Sequence, residues 1–191
     1  TFLGTILGMV AGYFRGLTDQ IIARGADVLF SFPALLVGLL IAAMAGPGET
    51  SAIAVIAVVA LPLFVRVVRS VTLALSGRGF IVAAEVAGAS PLRIMGVHIL
   101  PNIAGAVVVQ LTYALSIGMI IESALSFLGL GVQPPDASLG SLLRQGSAYL
   151  TFAPWLALFA GAVLSAAIMS VNLVGDAVRD ALEPLEGRSL T

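Results

Sequence analysis

Ionisable side chains are scarce in this chain, and their types limit its chemistry. Of 191 residues, 9 are Lys or Arg, 10 are Asp or Glu, and one is His. Every basic residue is arginine. A phosphate-binding P-loop needs a lysine behind its glycines, so this chain alone is no P-loop ATPase. Cysteine is absent, which excludes disulfide frameworks, zinc–thiolate sites and thiol catalysis. His98 lies outside the apolar runs, so it cannot serve a Ser–His pair at membrane depth. Nothing near it could complete a metal shell. The apolar runs hold no paired carboxylates. An enzyme active site, a metal site and a directly bound cofactor are therefore not expected. A net charge of −1 gives no case for nucleic acid.

One acid lies deep in an apolar run. Glu122, with Ser126 one helical turn on, is the candidate lining of a translocation path. An ionisable group in mid-bilayer costs about 2.5–3.5 kcal/mol on insertion scales, so it needs a use or a partner. The other reading is a helix–helix hydrogen bond to a serine such as Ser165 or Ser170. Asp176, Arg179, Asp180 and Glu183 fall at i, i+3 and i, i+4 spacings, which suits a solvated ion-pair face better than a site.

The elements that position these groups follow from composition. The chain is 59% hydrophobic and 10% charged, against about 25% charged for a soluble domain, and its mean hydropathy is +1.10. The expectation is an all-α, polytopic membrane protein. A span needs about 20 apolar residues. Thr1 to Phe14 is shorter and has no basic leader, which reads as a truncated span. Gly4, Gly8, Gly12 and Gly16 recur every fourth residue, a small-residue face for close helix packing, either within the chain or in a dimer. Arg15 to Asp27 reads as a surface-lying helical connector. A second span runs from Val28 to about Ala45, with Phe32-Pro33 kinking or starting it. Gly46-Pro47-Gly48-Glu49 is a turn. A third span runs from about Ser51 to Val65, with Pro62 as a kink and Arg66 and Arg69 reaching headgroups from its end. Ile103 to Leu128 is the fourth span and Trp155 to about Val174 the fifth, after which helix should cease near Pro184. Alternation of the spans puts Arg15, Arg24, Arg66, Arg69, Arg78, Arg93, Arg179 and Arg188 on one side and Arg144 on the other. The positive-inside rule makes the first side cytoplasmic. The connector at about 129–154 then faces outward.

Between the third and fourth spans lies Phe80 to Asn102, too polar to span and too ordered for slack loop. Ser90 before Pro91 is an N-cap with Pro at the first helical position. The spacing predicts one short helix ending near Gly88 and a second beginning at Pro91, both at the membrane surface and available to a partner.

This stretch resembles the cytoplasmic EAA loop of bacterial ABC importer permeases. The residues that carry the likeness are Ala83, Ala84, Gly88, His98, Leu100, Pro101 and Asn102. The blocks AGYFRG at 11–16, RGADVLFSFPALL at 24–36, ESALSFLGLGVQPP at 122–135, APWL at 153–156 and NLVGDAVRDALEP at 172–184 are similar to the dipeptide/oligopeptide and nickel branch, most like the second permease subunit of the pair. The resemblance covers essentially the whole chain. It implies a single permease domain over 1–191 with the type I importer fold and six spans, one of which would be missing at the N-terminus. It implies a multi-pass protein of the bacterial inner membrane that transports di- or oligopeptides, nickel or another cargo. ATP would be bound only by partner subunits. The implied partners are a second permease, two ATPase subunits, an extracytoplasmic binding protein and membrane lipid. A coupling loop at about 78–102 would dock into the ATPase, with Ala83, Ala84, Gly88, Ser90, Pro91, His98, Pro101 and Asn102 as its residues. One departure stands out: Val82 occupies the place of the family's usual glutamate, and Glu85, after the alanine pair, is not assigned that role. A gradient-driven secondary transporter or channel is the alternative. It would require paired midplane charges and inverted repeats, and Glu122 alone supports it poorly. A structural membrane subunit without a transport path suits the ordered loop less well.

Overall fold

The computed structural model describes residues 1–182. The expected helix end near Pro184, Glu183 and Arg188 lie outside the described residues. Everything regular among the described residues is helical. The helices are α1 (Phe2–Phe14), α2 (Gly16–Ser31), α3 (Ala34–Ala45), α4 (Glu49–Ser76), α5 (Gly79–Val86), α6 (Pro91–Arg93), a π-helical segment (Ile94–Ile99), α7 (Leu100–Phe127), α8 (Leu139–Ser147) and α9 (Trp155–Leu182). Among the described residues, Glu49–Ser76, Pro91–Phe127 and Trp155–Ala181 are long and apolar enough to cross a membrane. Helices α2 and α3 pass that test together but are bent by 84°, and α1 is a shorter apolar helix.

The apolar runs form helices as expected, but several boundaries move. The second run is not one helix from Val28. Residues up to Ser31 continue α2, and Pro33 caps α3. Proline restricts the residue before it to extended conformations, so the helix breaks at Phe32. The third run continues to Ser76 with Pro62 buried inside it. Arg66 and Arg69 are therefore mid-helix residues. Each has a carboxylate partner within the chain: Arg66 pairs with Asp27 at 2.7 Å, and Arg69 grips Asp19 in two hydrogen bonds, one of 2.7 Å. The α2 connector is thereby tied to α4. The outward connector of the sequence reading contains a helix of its own, α8, with a reciprocal Ser138–Ser141 capping box.

The chain divides into two compact units. The first comprises Thr1–Asp27, Leu61–Tyr113 and the chain from Leu173. Its core is Met9, Val68, Leu75, Ile81, Ile94, Met95, Ile99 and Ile103. Gly4, Gly8 and Gly12 form the expected stripe, and it serves packing within the chain. A Cβ added at each would lie 2.6–2.7 Å from the Cβ of Phe64, Val68 and Thr72 respectively. Both series advance by four, so α1 and α4 run parallel at glycine-permitted separation. Gly16 is not part of that stripe. Arg15 and Gly16 both have positive φ, at 53° and 58°, and end α1. The second unit comprises Val28–Ala60 and Ala114–Asn172. Its core is Ala52, Val55, Ile121 and Leu125, with Ile56 and Leu130 against it.

Candidate functional site

The candidate residues fall into two groups, one in each unit. In the first unit, α5 is short because its end is specified locally. Ala89 N–H donates to Ala84 O at 3.0 Å and Gly88 N–H donates to Glu85 O at 2.9 Å. With Gly88 at φ 79°, this is a Schellman cap, which favours glycine at the left-handed position. Ser90 then caps the next helix, accepting from the Arg93 N–H at 3.4 Å, with Pro91 at its start. Both expected caps of the loop are therefore present.

The second helix is not short. It passes through a π-helical segment directly into α7. Pro101 is the cause. Proline has no N–H and crowds the carbonyl four residues earlier, here that of Val97. The wider π register just before it, with Leu100 N–H bonded to Met95 O, accommodates the ring without ending the helix. Asn102 Nδ2 donates to His98 O at 2.6 Å, satisfying a carbonyl at the register change. Thus His98, Pro101 and Asn102 form one structural device. Asn102 also lines a cavity of ≈ 370 Å³ with Gln110 and Arg179.

The loop is anchored on one face and bare on the other. Ile81, Ile94, Met95 and Ile99 are buried in the first unit's core, and Ala84 packs against it. Ala83 and Gly88 are exposed, and a Cβ added at Gly88 would meet nothing within 4 Å. Val86 and Leu92 are 85% and 79% exposed, and Val82 is about half exposed. Glu85 accepts a hydrogen bond from Tyr13 Oη at 3.0 Å, which ties α5 to the end of α1. Sequence reasoning missed Val86, Leu92 and Tyr13. The first two could have been found as apolar residues beside the caps; Tyr13 lies 72 positions from its partner.

In the second unit, Glu122 and Ser126 are brought together one turn apart on α7. Ser126 Oγ donates to Glu122 Oε1 at 2.6 Å and accepts from Val132 N–H at 3.1 Å. Ser123 Oγ also donates to Glu122 Oε2 at 3.5 Å, so the serine partners lie on α7 itself, at Ser126 and Ser123, and are not Ser165 or Ser170. The turn after α7 is tightly specified. Leu130 N–H donates to Leu125 O at 2.8 Å, and Gly48 N–H donates to Leu130 O at 3.2 Å. Gln133 Nε2 donates to the carbonyls of Gly129 and Gly131. Gly131 lies so close to Ser126 that a Cβ there would strike Ser126 Oγ. Glu122 and Ser123 also line an otherwise apolar cavity of ≈ 340 Å³ bounded by Ile56, Gly118, Met119 and Leu164.

Asp176, Arg179 and Asp180 are exposed on α9. Among the described residues, no group of three or more His, Asp or Glu side chains could hold a metal ion.

A family model described as "binding-protein-dependent transport system inner membrane component" matches residues 4–186. The chain is 37% identical over 182 residues to a glutathione transport system permease protein of Pectobacterium atrosepticum, covering 95% of this chain and 60% of the relative. It is 40% identical over 182 residues to a putative peptide transport system permease protein of Brucella suis, covering 95% and 61%. It is 38% identical over 181 residues to a dipeptide transport system permease protein of Alkalihalophilus pseudofirmus, covering 95% and 60%. The chain thus spans about 60% of the length of these curated relatives. Among solved structures, a chain of the inward-facing MetNI methionine ABC transporter matches with a TM-score of 0.75 at 20% identity, over 95% of this chain and 88% of that one. At that identity the likeness speaks for the fold: the helical arrangement is that of a type I ABC importer permease.

Proposed function

Since the chain belongs to the family of binding-protein-dependent transport system inner membrane components, we propose that it is the membrane-spanning part of an ATP-driven importer. In this reading the 78–102 loop couples it to separate ATPase subunits. The protein is a multi-pass inner-membrane component, and its single permease domain works beside a second permease subunit. Two ATPase subunits bind and hydrolyse ATP, and an extracytoplasmic binding protein delivers cargo near the 129–154 connector. Peptides are the favoured cargo, because relatives matched over almost all of this chain are named for peptide, dipeptide or glutathione transport.

The observation that carries this reading is the two-faced loop. Its buried face, Ile81, Ile94, Met95 and Ile99, fixes it to the helices of the first unit. Its bare face presents Val82, Val86 and Leu92. Exposed apolar side chains on an ordered, capped loop support a protein contact. A displacement imposed on that face by closing ATPase subunits would pass through the buried isoleucines to α4 and α7 as one rigid movement, since close-packed interiors transmit strain. Glu122 and Ser126 are proposed to line the cargo path, where the carboxyl group is a polar feature of an apolar cavity. The parallel course of α1 and α4 is compatible with the alternation that puts the loop on the arginine-rich, cytoplasmic side.

Leu92→Asp tests the contact. Leu92 is nearly bare, so the substitution costs the isolated chain little, yet it places a charge in the docking face. The assembled transporter should insert normally while ATP hydrolysis ceases to respond to loaded binding protein. An unchanged response would overturn the reading.

A further inference from the structure

The helices α8 and α9 enclose a feature that transport coupling does not use. Gly146 of α8 lies against the start of α9, where an added Cβ would be 2.6 Å from Ala157 N. The two helices therefore touch at that point and leave a groove beside it. The groove has a volume of ≈ 380 Å³ and is lined by Leu139, Leu142, Tyr149, Leu156, Phe159 and Val163. Immediately above it, the turn joining the helices carries Tyr149, Leu150, Phe152 and Trp155, all more than half exposed, with Phe152 83% exposed. Trp155 is the chain's only tryptophan and the first residue of the spanning helix α9.

We propose that this groove is a lipid site: the acyl chain of a phospholipid lies against Phe159 and Val163, and the aromatic collar holds the headgroup level. The occupant follows from continuity with α9. A helix that crosses the bilayer from Trp155 onward brings its first turn to the headgroup region, and Trp and Tyr favour that region because their rings are apolar with one polar edge. The groove runs down the same helix into the hydrocarbon, since Val163 lies eight residues, about 12 Å, beyond Trp155. Apart from the side chains of Gln145 and Tyr149, the residues lining it are apolar. A binding-protein surface or a neighbouring permease helix could also cover this face, and depth-resolved quenching separates those outcomes from lipid.

The assembled transporter is reconstituted in phosphatidylcholine vesicles carrying bromines at the 6,7 or the 11,12 acyl positions. The difference between wild type and Trp155→Phe isolates the emission of Trp155. Quenching of at least twofold by the 6,7-bromines, and less by the 11,12-bromines, is expected. Val163→Trp in the Trp155→Phe background should reverse that order. Failure of both lipids to quench at Val163→Trp means that protein fills the groove, and failure at Trp155 means that the collar is not in the headgroup layer; either overturns the proposal. Should Val163→Trp not assemble, a spin label on Val163→Cys gives the same answer, with oxygen broadening it more than aqueous nickel chelate if lipid is present. The opposite order overturns the proposal.

Discussion

Ser126→Ala separates the structural role of Glu122 from its proposed role in transport. Ser126 is almost fully buried and makes two bonds, one given to Glu122 Oε1 and one received from Val132 N–H. Alanine removes both. Stranding a buried polar group costs about 1–3 kcal/mol. Val132 and Glu122 are only partly buried, which favours the lower half of that range for each, so the sum is about 2–4 kcal/mol. For a chain of this length, 1 kcal/mol corresponds to roughly 2–4 °C in Tm. Thermal unfolding in detergent should therefore drop by roughly 5–15 °C. Glu122→Gln keeps an acceptor for the serine hydroxyl, so its loss should stay below about 1 kcal/mol. Transport should nevertheless change in Glu122→Gln, with assembly intact, if the carboxyl group lines the path. If Glu122→Gln is as unstable as Ser126→Ala, or if Ser126→Ala has no effect on Tm, the hydrogen-bonded relay to the 128–133 turn is refuted. Normal transport by Glu122→Gln would reduce the carboxyl group to packing.

Gly8→Leu should disrupt the α1–α4 contact by at least the 1–3 kcal/mol typical of overpacking, because Val68 Cβ and the Val65 carbonyl leave no room; folded yield and Tm of this variant check it. Gly25→Ala, where a Cβ meets nothing, should instead raise stability by up to about 1 kcal/mol through helix propensity. Among the described residues, Thr72 Oγ1 is buried without a hydrogen-bond partner, so Thr72→Val should leave Tm unchanged or raise it, and a fall of several degrees would reveal a missing partner. Cysteines replacing Asp136 and Arg78 should label from opposite sides with an impermeant thiol reagent; labelling from one side would contradict the span alternation.

The parts of this structure that were legible in the sequence are those specified within a few residues. Gly88 and Ser90-Pro91 announce caps because a left-handed glycine and a serine before proline act through the adjacent backbone. The glycine repeat of α1 announced a packing face, though not that α4 was its partner, which depends on residues 60 positions away. Arg66 and Arg69 looked like span-end arginines because polarity alone cannot show that Asp27 and Asp19 lie opposite them. A short helix from Pro91 and a separate span from Ile103 were expected, but the chain passes Pro101 in a π register without ending the helix, an outcome that depends on Asn102 and on continued burial of Ile99 and Ile103. Ser126 was within reach of Glu122 by helical spacing, but its second partner, Val132, required the turn to fold back over α7.

The central claim, that the 78–102 loop is the ATPase contact, is tested most directly at Gly88. A side chain there meets nothing in this chain, and aspartate, unlike most residues, tolerates a left-handed backbone. Gly88→Asn carries the same backbone strain at φ 79° without the charge, so any loss in Gly88→Asp beyond that of Gly88→Asn arises where the loop meets another protein, where an unpaired buried charge costs several kcal/mol. Co-purification of the ATPase subunits with Gly88→Asp, measured beside wild type at matched membrane levels, should show the ATPase lost or no longer stimulated. Full ATPase retention together with full transport would contradict the assignment of this loop as the coupling element.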